Sequence, residues 1–80
     1  MQKILIVEDD QKLRNELEKF INNNGYIAES LKSFEDTITN ILEIKPNLLL
    51  LDINLPNADG QHILKEIRKV SEMPIIIIAQ

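Results

Sequence analysis

Two groups of acidic residues stand directly behind two strongly apolar segments of this chain, and their side chains are suited to binding a cation. The run Glu8–Asp10 follows the apolar run Ile4–Val7, and Asp52 follows the run Leu48–Leu51. If the two apolar runs are neighbouring parallel strands, four carboxylates meet outside the carboxyl ends of the strands, where open α/β sheets bind ligands. Such crowding of negative charge is unfavourable without a cation. A hard divalent ion with oxygen ligands, Mg²⁺ above all, relieves it and can also bind a phosphoryl oxygen.

Each acidic group also has a structural explanation that involves no ligand. Acidic residues in the first turn of a helix are favoured by the helix dipole, and Asp10 is placed to cap the helix that follows it. Acidic residues at strand ends also simply favour solubility. The interpretation as a binding site therefore depends on both groups occurring at matching ends of two strongly apolar strands.

The segment from Asp52 to Gly60 is the most specific loop of the sequence. Pro56 restricts its backbone, and Gly60 permits a tight entry into the helix that follows. Asn54 lies two residues beyond Asp52, so its backbone carbonyl is able to return to the same cation. Pro and Gly are also common in ordinary strand-to-helix loops, which is the alternative interpretation of this segment.

Four segments are predicted to form strands. Continuous apolar runs, in contrast to alternating ones, are typical of parallel strands that are covered on both faces. Three runs have this character, namely Ile4–Val7, Leu48–Leu51 and Ile75–Ile78. The more polar segment Tyr26–Leu31 is predicted to be an edge strand.

Helical patterns lie between these strands. The first helix has one apolar face, formed by Leu13, Leu17, Phe20 and Ile21. The second is predicted to open at Ser33, with Asp36 three residues on as a loose capping box, and to close at Pro46. The third follows Gly60 and has a face formed by Ile63, Leu64, Ile67 and Val70. This alternation predicts an α/β fold with parallel strands and right-handed crossovers.

The composition bounds the class of protein. Eighty residues with 44% apolar and 28% charged side chains make one small globular domain at most. A net charge of −4 argues against a nucleic-acid surface within these residues, because phosphate contacts need clustered cations. The chain has no cysteine, which excludes a disulfide framework and a cysteine-based zinc site. No apolar run is long enough to cross a membrane and no secretory signal is found, so we expect a cytoplasmic location.

Three segments carry a resemblance to a known family. They are Ile4-Leu5-Ile6-Val7-Glu8-Asp9-Asp10, then Leu51-Asp52-Ile53-Asn54-Leu55-Pro56 followed after three residues by Gly60, and Met73-Pro74-Ile75-Ile76-Ile77-Ile78. With this spacing the whole chain resembles the receiver domain of two-component response regulators. The resemblance implies a flavodoxin-like doubly wound parallel sheet with strand order 2-1-3-4. It also implies a partial (βα)3β arrangement in which residues 1–80 are the N-terminal part of a single domain, without the fifth strand and the last two helices.

The same resemblance implies a role for each candidate site residue. Asp52 is the phosphoacceptor, which takes a phosphoryl group from a sensor histidine kinase. The chain is therefore expected to be a phosphoacceptor and not an enzyme. Asp9 binds Mg²⁺ directly, Glu8 binds it through water, and Asn54 offers its backbone carbonyl, so that the metal site comprises Glu8, Asp9, Asp52 and Asn54. Asp10 has no catalytic role. The parent protein is expected to carry an output domain, often a DNA-binding one in this family.

Two departures from the family pattern lead to further expectations. The family carries Ser or Thr at the end of the fourth strand, where its hydroxyl bonds the phosphoryl group, and this chain has Ala79. The family also carries a Lys at the end of the fifth strand, beyond the last residue of this chain. We therefore expect weakened phosphorylation and little switching.

Two alternative functions compete with the phosphoacceptor. A haloacid-dehalogenase type of phosphatase also uses an Asp after an apolar strand, but it needs a second acid two residues later, where this chain has Asn54. The other alternative is a binding or self-association module without phosphorylation. Whichever function applies, the exposed edge of the fourth strand, Ile75–Ile78, is expected to pair with another copy and form a homo-oligomer. No membrane contact is expected in either case.

Overall fold

Four strands alternate with three helices in residues 2–56 and 58–79, which are the residues that the computed structural model describes. Their bounds are β1 Lys3–Val7, α1 Gln11–Asn23, β2 Ile27–Ser30, α2 Thr37–Ile44, β3 Leu48–Asp52, α3 Gly60–Arg68 and β4 Ile75–Ile78. The predicted alternation of strands and helices is confirmed. None of the described helices has the length and apolarity needed to span a bilayer.

The strands form one parallel sheet with the order β2-β1-β3-β4, as predicted. This is the strand order of a flavodoxin-like fold. In the register of the central pair, Val7 lies opposite Leu51. The carboxyl ends of β1 and β3 are therefore level with each other. The residues that follow Val7 and Leu51 thus lie at the same edge of the sheet.

The central strands are covered on both faces, which explains their continuous apolar sequences. One face packs against α2 and α3 and contains the buried residues Leu5, Val7, Leu31, Ile41, Leu49, Leu51, Leu55, Ile63 and Ile67. The other face packs against α1 and contains Ile4, Ile6 and Ile21. The two central strands are thus held rigidly, and so are the side chains at their ends.

The apolar-run pattern, which is typical of strands covered on both faces, is wrong for β4, whereas the prediction that β4 has an exposed apolar edge is confirmed. Ile76 is 52% exposed and Ile77 is 38% exposed, although both lie within the strand. The physical reason is the position of β4, which is the outermost strand of the sheet and pairs with β3 alone among the described strands. Its continuous isoleucines therefore do not signal a buried strand.

Two residues predicted on apolar helix faces are exposed, Phe20 to 68% and Val70 to 69%. Each residue of a helix is turned by about 100° from the one before it, so Phe20 faces away when its neighbour Ile21 is buried. Val70 lies beyond the end of α3 at Arg68, where helical spacing no longer applies.

The second helix begins four residues later than predicted. The Ser33 hydroxyl accepts a hydrogen bond from the Glu35 backbone N–H at 3.3 Å, and the Thr37 hydroxyl donates one to the Phe34 carbonyl at 2.9 Å. These bonds form a local turn in place of a first helical turn. Asp36 precedes the helix in the left-handed conformation, with φ of 51° and no capping hydrogen bond from its side chain, so the predicted capping box is wrong.

Gly60 is the point where the start of α3 comes closest to the end of β3. A Cβ atom at this position would lie 2.5 Å from Ile53 Cα and 2.7 Å from the Asp52 carbonyl oxygen. Real Cβ atoms do not approach backbone atoms so closely. The sequence needs glycine here for space, and the contact ties α3 to the backbone that carries Asp52.

Replacing Gly60 by alanine is expected to lower the free energy of unfolding by about 3 kcal/mol, because the added methyl group meets backbone that cannot rotate away. The matched control is Gly25→Ala, where nothing lies within 4 Å of the Cβ position and only the φ of 87° opposes the change, at a cost of about 1 kcal/mol. Urea unfolding of both variants checks the order. Equal losses would contradict the explanation by close packing.

Candidate metal centre

The paired strands bring three of the predicted acidic residues together. Glu8 follows Val7 of β1 directly, and Asp52 ends β3 beside it. Glu8, Asp9 and Asp52 each offer a carboxylate oxygen, and these oxygens lie within 4.8 Å of one another. Three carboxylates at this separation form a donor set for a single cation.

The cluster has a buried base and an open side. Glu8 is 1% exposed and Asp52 is 3% exposed, whereas Asp9 is exposed. A small ion is therefore able to enter beside Asp9 and reach the two buried carboxylates. Burial also weakens solvent screening, so that charge within the cluster counts for more than it would at the surface.

The expectation that Asp10 joins the cluster is wrong. Its Oδ1 atom accepts hydrogen bonds from the backbone N–H groups of Lys12 at 3.0 Å and Leu13 at 3.2 Å, so the side chain caps α1. The capping role proposed for Asp10 is confirmed. The carboxylate is used by otherwise unpaired N–H groups of the first helical turn.

Two backbone N–H groups orient the buried acids, and sequence reasoning did not find them. The Asp10 N–H donates to Glu8 Oε2 at 3.1 Å, and the Asn54 N–H donates to Asp52 Oδ1 at 2.9 Å. In both cases an acid at a strand end accepts from the residue two positions later. For Asp52 this is a known turn-forming pattern of aspartate, so its signal was present in the sequence, whereas a glutamate such as Glu8 carries no such signal.

Asn54 therefore lies beside Asp52, because its backbone N–H donates a hydrogen bond to the Asp52 carboxylate. Asn54 itself is exposed. Its backbone carbonyl as a metal ligand stays a prediction. The N–H contact has a separate consequence, because it fixes Oδ1 of Asp52 and leaves Oδ2 as the oxygen that is not held by this bond.

Burial of the carboxyl group raises the pKa of Glu8 from its ordinary value of 4.5 to about 7. The hydrogen bond from the Asp10 N–H opposes this rise, while a side-chain hydrogen bond with Asp52, the negative charge of Asp52 and a side-chain hydrogen bond with Asp9 add to it. At neutral pH without a cation, Glu8 therefore holds a proton for part of the time. The proton relieves the same repulsion that a metal ion would relieve.

The residues fit Mg²⁺ by their chemistry. The cluster offers hard carboxylate oxygens, which are the ligands that Mg²⁺ prefers, and it contains no nitrogen or sulfur ligand that would favour a transition metal. A bound divalent cation would displace the proton of Glu8. Metal affinity is then expected to rise with pH as the pKa of Glu8 is passed.

Fold and site together define a flavodoxin-like α/β domain with an acidic pocket at the carboxyl ends of its central strands. The profile of the response regulator receiver domain family matches residues 4–80. The chain therefore belongs to the response regulator receiver domain family. Receiver domains bind Mg²⁺ at an acidic pocket and interact with sensor histidine kinases.

The chain is similar to an uncharacterised transcriptional regulatory protein of Bacillus subtilis, YvcP, at 39% identity over 79 residues, which are 99% of this chain and 33% of that protein. It spans about a third of the length of the curated relatives it matches.

Among solved structures, the chain resembles the response regulator TrrA of Thermotoga maritima in complex with Mg²⁺ and a beryllium fluoride, with a TM-score of 0.87 and 28% identity over 99% of this chain and 70% of that one. It also resembles TrrA in complex with the histidine kinase ThkA, with a TM-score of 0.84 and 28% identity over 99% of this chain and 69% of the matched chain.

Stability without divalent cations is expected to fall as pH rises from 5 to 8. The folded state holds the Glu8 proton up to a pKa of about 7, whereas the unfolded state releases it near 4.5, so the folded state is favoured at low pH and loses this advantage as pH rises. Glu8→Gln should reduce the loss by about 2 kcal/mol. Chemical unfolding of both chains over this pH range measures the difference, and parallel curves would contradict the assignment.

Proposed function

We propose that this chain is a phosphoacceptor module of a two-component system, in which Asp52 receives a phosphoryl group from a phosphohistidine of a sensor kinase. The observation that carries the proposal is the position of Asp52. Its carboxylate is buried at the end of a central strand and lies within 4.8 Å of two other carboxylates on a receiver-domain fold. Such a carboxylate is a nucleophile held ready beside a cation site.

The proposed step is a displacement at phosphorus. Oδ2 of Asp52 attacks the phosphorus atom, the bond between phosphorus and the imidazole nitrogen breaks, and its electron pair stays on that nitrogen. The product is an acyl phosphate on Asp52. The Asn54 N–H holds Oδ1 and thereby directs Oδ2 toward the incoming group.

The metal ligands in this proposal are Glu8, Asp9, Asp52 and the backbone carbonyl of Asn54. When bound, Mg²⁺ neutralises charge that develops on the transferred phosphoryl oxygens. The buried Glu8 releases its proton to let the ion bind, and the Asp10 N–H keeps the carboxylate in place. The exposed Asp9 leaves the site open for the phosphodonor.

The partner in this proposal is a sensor histidine kinase. The similarity to TrrA, which has been crystallised with the kinase ThkA, supports it. Asp52 accepts one phosphoryl group per chain, so the module is a substrate of the kinase and not an enzyme. A cytoplasmic location and a DNA-binding output region in the whole protein accord with relatives named as transcriptional regulators.

Ala79 weakens the proposed switch. It follows Ile78, and Ile78 is the strand partner of Asp52. A hydroxyl at this position would lie at the same edge of the sheet as the phosphoacceptor, and alanine has none. We therefore propose low phosphorylation yield and little conformational response in this chain.

A second candidate function is self-association through β4. The strand pairs with β3 alone among the described strands and exposes large parts of Ile76 and Ile77. An apolar edge strand with unpaired backbone groups tends to pair with another chain. This would make the 80-residue chain a homo-oligomer, with or without phosphorylation.

Incubation with Mg²⁺ and acetyl phosphate should add the mass of one phosphoryl group to the chain, because Asp52 is the buried nucleophile beside the cation site. Asp52→Asn should abolish the adduct, and the matched control Asp59→Asn should keep it, since Asp59 is an exposed helix cap that asparagine replaces well. Intact mass spectrometry gives the readout. An adduct that survives in Asp52→Asn would contradict the assignment.

In the same assay Ala79→Thr should raise the initial rate of adduct formation by roughly tenfold, because it supplies one hydrogen-bond donor to the phosphoryl group. The control Ala79→Val has the same shape without the hydroxyl. Equal rates for both variants would show that the missing donor is not the cause of weak phosphorylation.

Ile76→Lys should convert an assembled 80-residue chain to a monomer, because a charge on an exposed edge strand opposes pairing with another edge. Light scattering after size exclusion measures the molar mass. The control is Phe20→Lys, a change of another exposed apolar residue that lies on α1. A wild-type chain that is already monomeric would contradict the self-association proposal.

A further inference from the structure

A groove lies between the start of α2 and the start of α3, apart from the acidic cluster. Its volume is about 330 Å³. The lining residues are Phe34, Asp36, Thr37, Ile38, Thr39, Ala58, Asp59, His62 and Ile63. Glu8, Asp9 and Asp52 are not among them, so this surface is not part of the metal centre.

The floor of the groove is apolar. It is formed by side chains that all pack against the larger core cluster, namely Phe34, Ile38, Ala58 and Ile63. Ile63 is buried and the other three are partly buried. The floor is therefore fixed in position and offers apolar surface that a ligand could cover.

Two carboxylates stand at the rim of the groove. Asp59 is exposed, and one of its oxygens accepts a hydrogen bond from the Gln61 N–H at 2.9 Å. Asp36 is exposed and makes no capping hydrogen bond with α2. In the part of the chain that the structure describes, the ion pairs involve neither of them, and no Lys or Arg lines the groove.

We propose that this groove binds a basic amphipathic segment of a partner protein, with an Arg or Lys between the two rim carboxylates and an apolar side chain on the floor. Charge complementarity selects this occupant, because an anionic rim above an apolar floor repels acidic peptides and phosphate backbones. The net charge of −4 favours encounter with a basic partner. The volume is at the lower end of ligand sites and therefore suits a few side chains.

Asp36 and Asp59 can both be replaced by asparagine without loss of the fold, because asparagine suits the position that each holds before its helix. Asparagine caps helices as well as aspartate does, so Asp59→Asn should keep the start of α3. Asn is also among the residues that tolerate the left-handed conformation, which Asp36 adopts with φ of 51°. The double variant D36N/D59N thus removes charge and leaves shape unchanged.

The test uses the ¹⁵N-labelled 80-residue chain with saturating Mg²⁺ and the capped peptide Ac-Leu-Arg-Leu-Arg-NH₂. Amide shifts should centre on residues 34–39 and 58–63. Binding should be about fivefold weaker for D36N/D59N, in line with two exposed ion pairs, and weaker again in high salt. Thr39→Arg, which places a cation on the exposed wall of the groove, should also weaken binding.

The matched peptides Ac-Leu-Gln-Leu-Gln-NH₂ and Ac-Leu-Glu-Leu-Glu-NH₂ separate charge from apolar contact. The proposal requires that the Gln peptide bind more weakly than the Arg peptide and the Glu peptide more weakly still. Equal binding of the three peptides, an Arg-peptide affinity unchanged in D36N/D59N, absence of binding, or shifts centred on residues 8–10 and 52–54 would each overturn it.

Discussion

The central physical constraint on this structure is the repulsion between the carboxylates of Glu8 and Asp52, which the parallel pairing of β1 and β3 places side by side. Because Val7 lies opposite Leu51, the residues at the ends of β1 and β3 have no freedom to move apart along the strands. Glu8 and Asp52 are both buried there, and the pKa of Glu8 is raised because burial and the neighbouring acids disfavour its charge. A proton or a cation must offset this charge, and the choice between them links the fold to its chemistry.

The rest of the molecule keeps the two buried acids close together despite their repulsion. The strands that carry the two acids are covered on both faces by helices, and the buried aliphatic side chains of these strands supply the stability that the buried charges reduce. Two backbone N–H groups fix the orientation of the acids, and Gly60 lets α3 press against the backbone at Asp52 and Ile53.

Much of this fold was predictable because the signals are local and redundant. Continuous apolar runs predicted β1, β3 and β4, and the acidic residues after β1 and β3 marked the site. The strand order came from the family resemblance.

The predictions that were wrong needed information from the assembled fold. Phe20 fits a helical spacing but lies off the buried face of α1, and Val70 lies beyond the end of α3. Ser33 opens a turn in place of a helix because side-chain hydrogen bonds compete with it. Similarly, the role of Asp10 was ambiguous until its cap was seen. The groove between α2 and α3 has no sequence signal, since Asp36 and Asp59 each look like ordinary acids near a helix start.

The central claim is that Glu8, Asp9 and Asp52 hold one divalent cation between them. Paramagnetic broadening of backbone amides by substoichiometric Mn²⁺, in competition with Mg²⁺, tests it most directly, because broadening falls off steeply with distance from the ion. The account predicts that the amides of residues 7–10 and 52–54 broaden first, that excess Mg²⁺ restores them, and that Asp9→Asn weakens the effect. Broadening centred on Asp36 and Asp59, or unaffected by Mg²⁺, would contradict it.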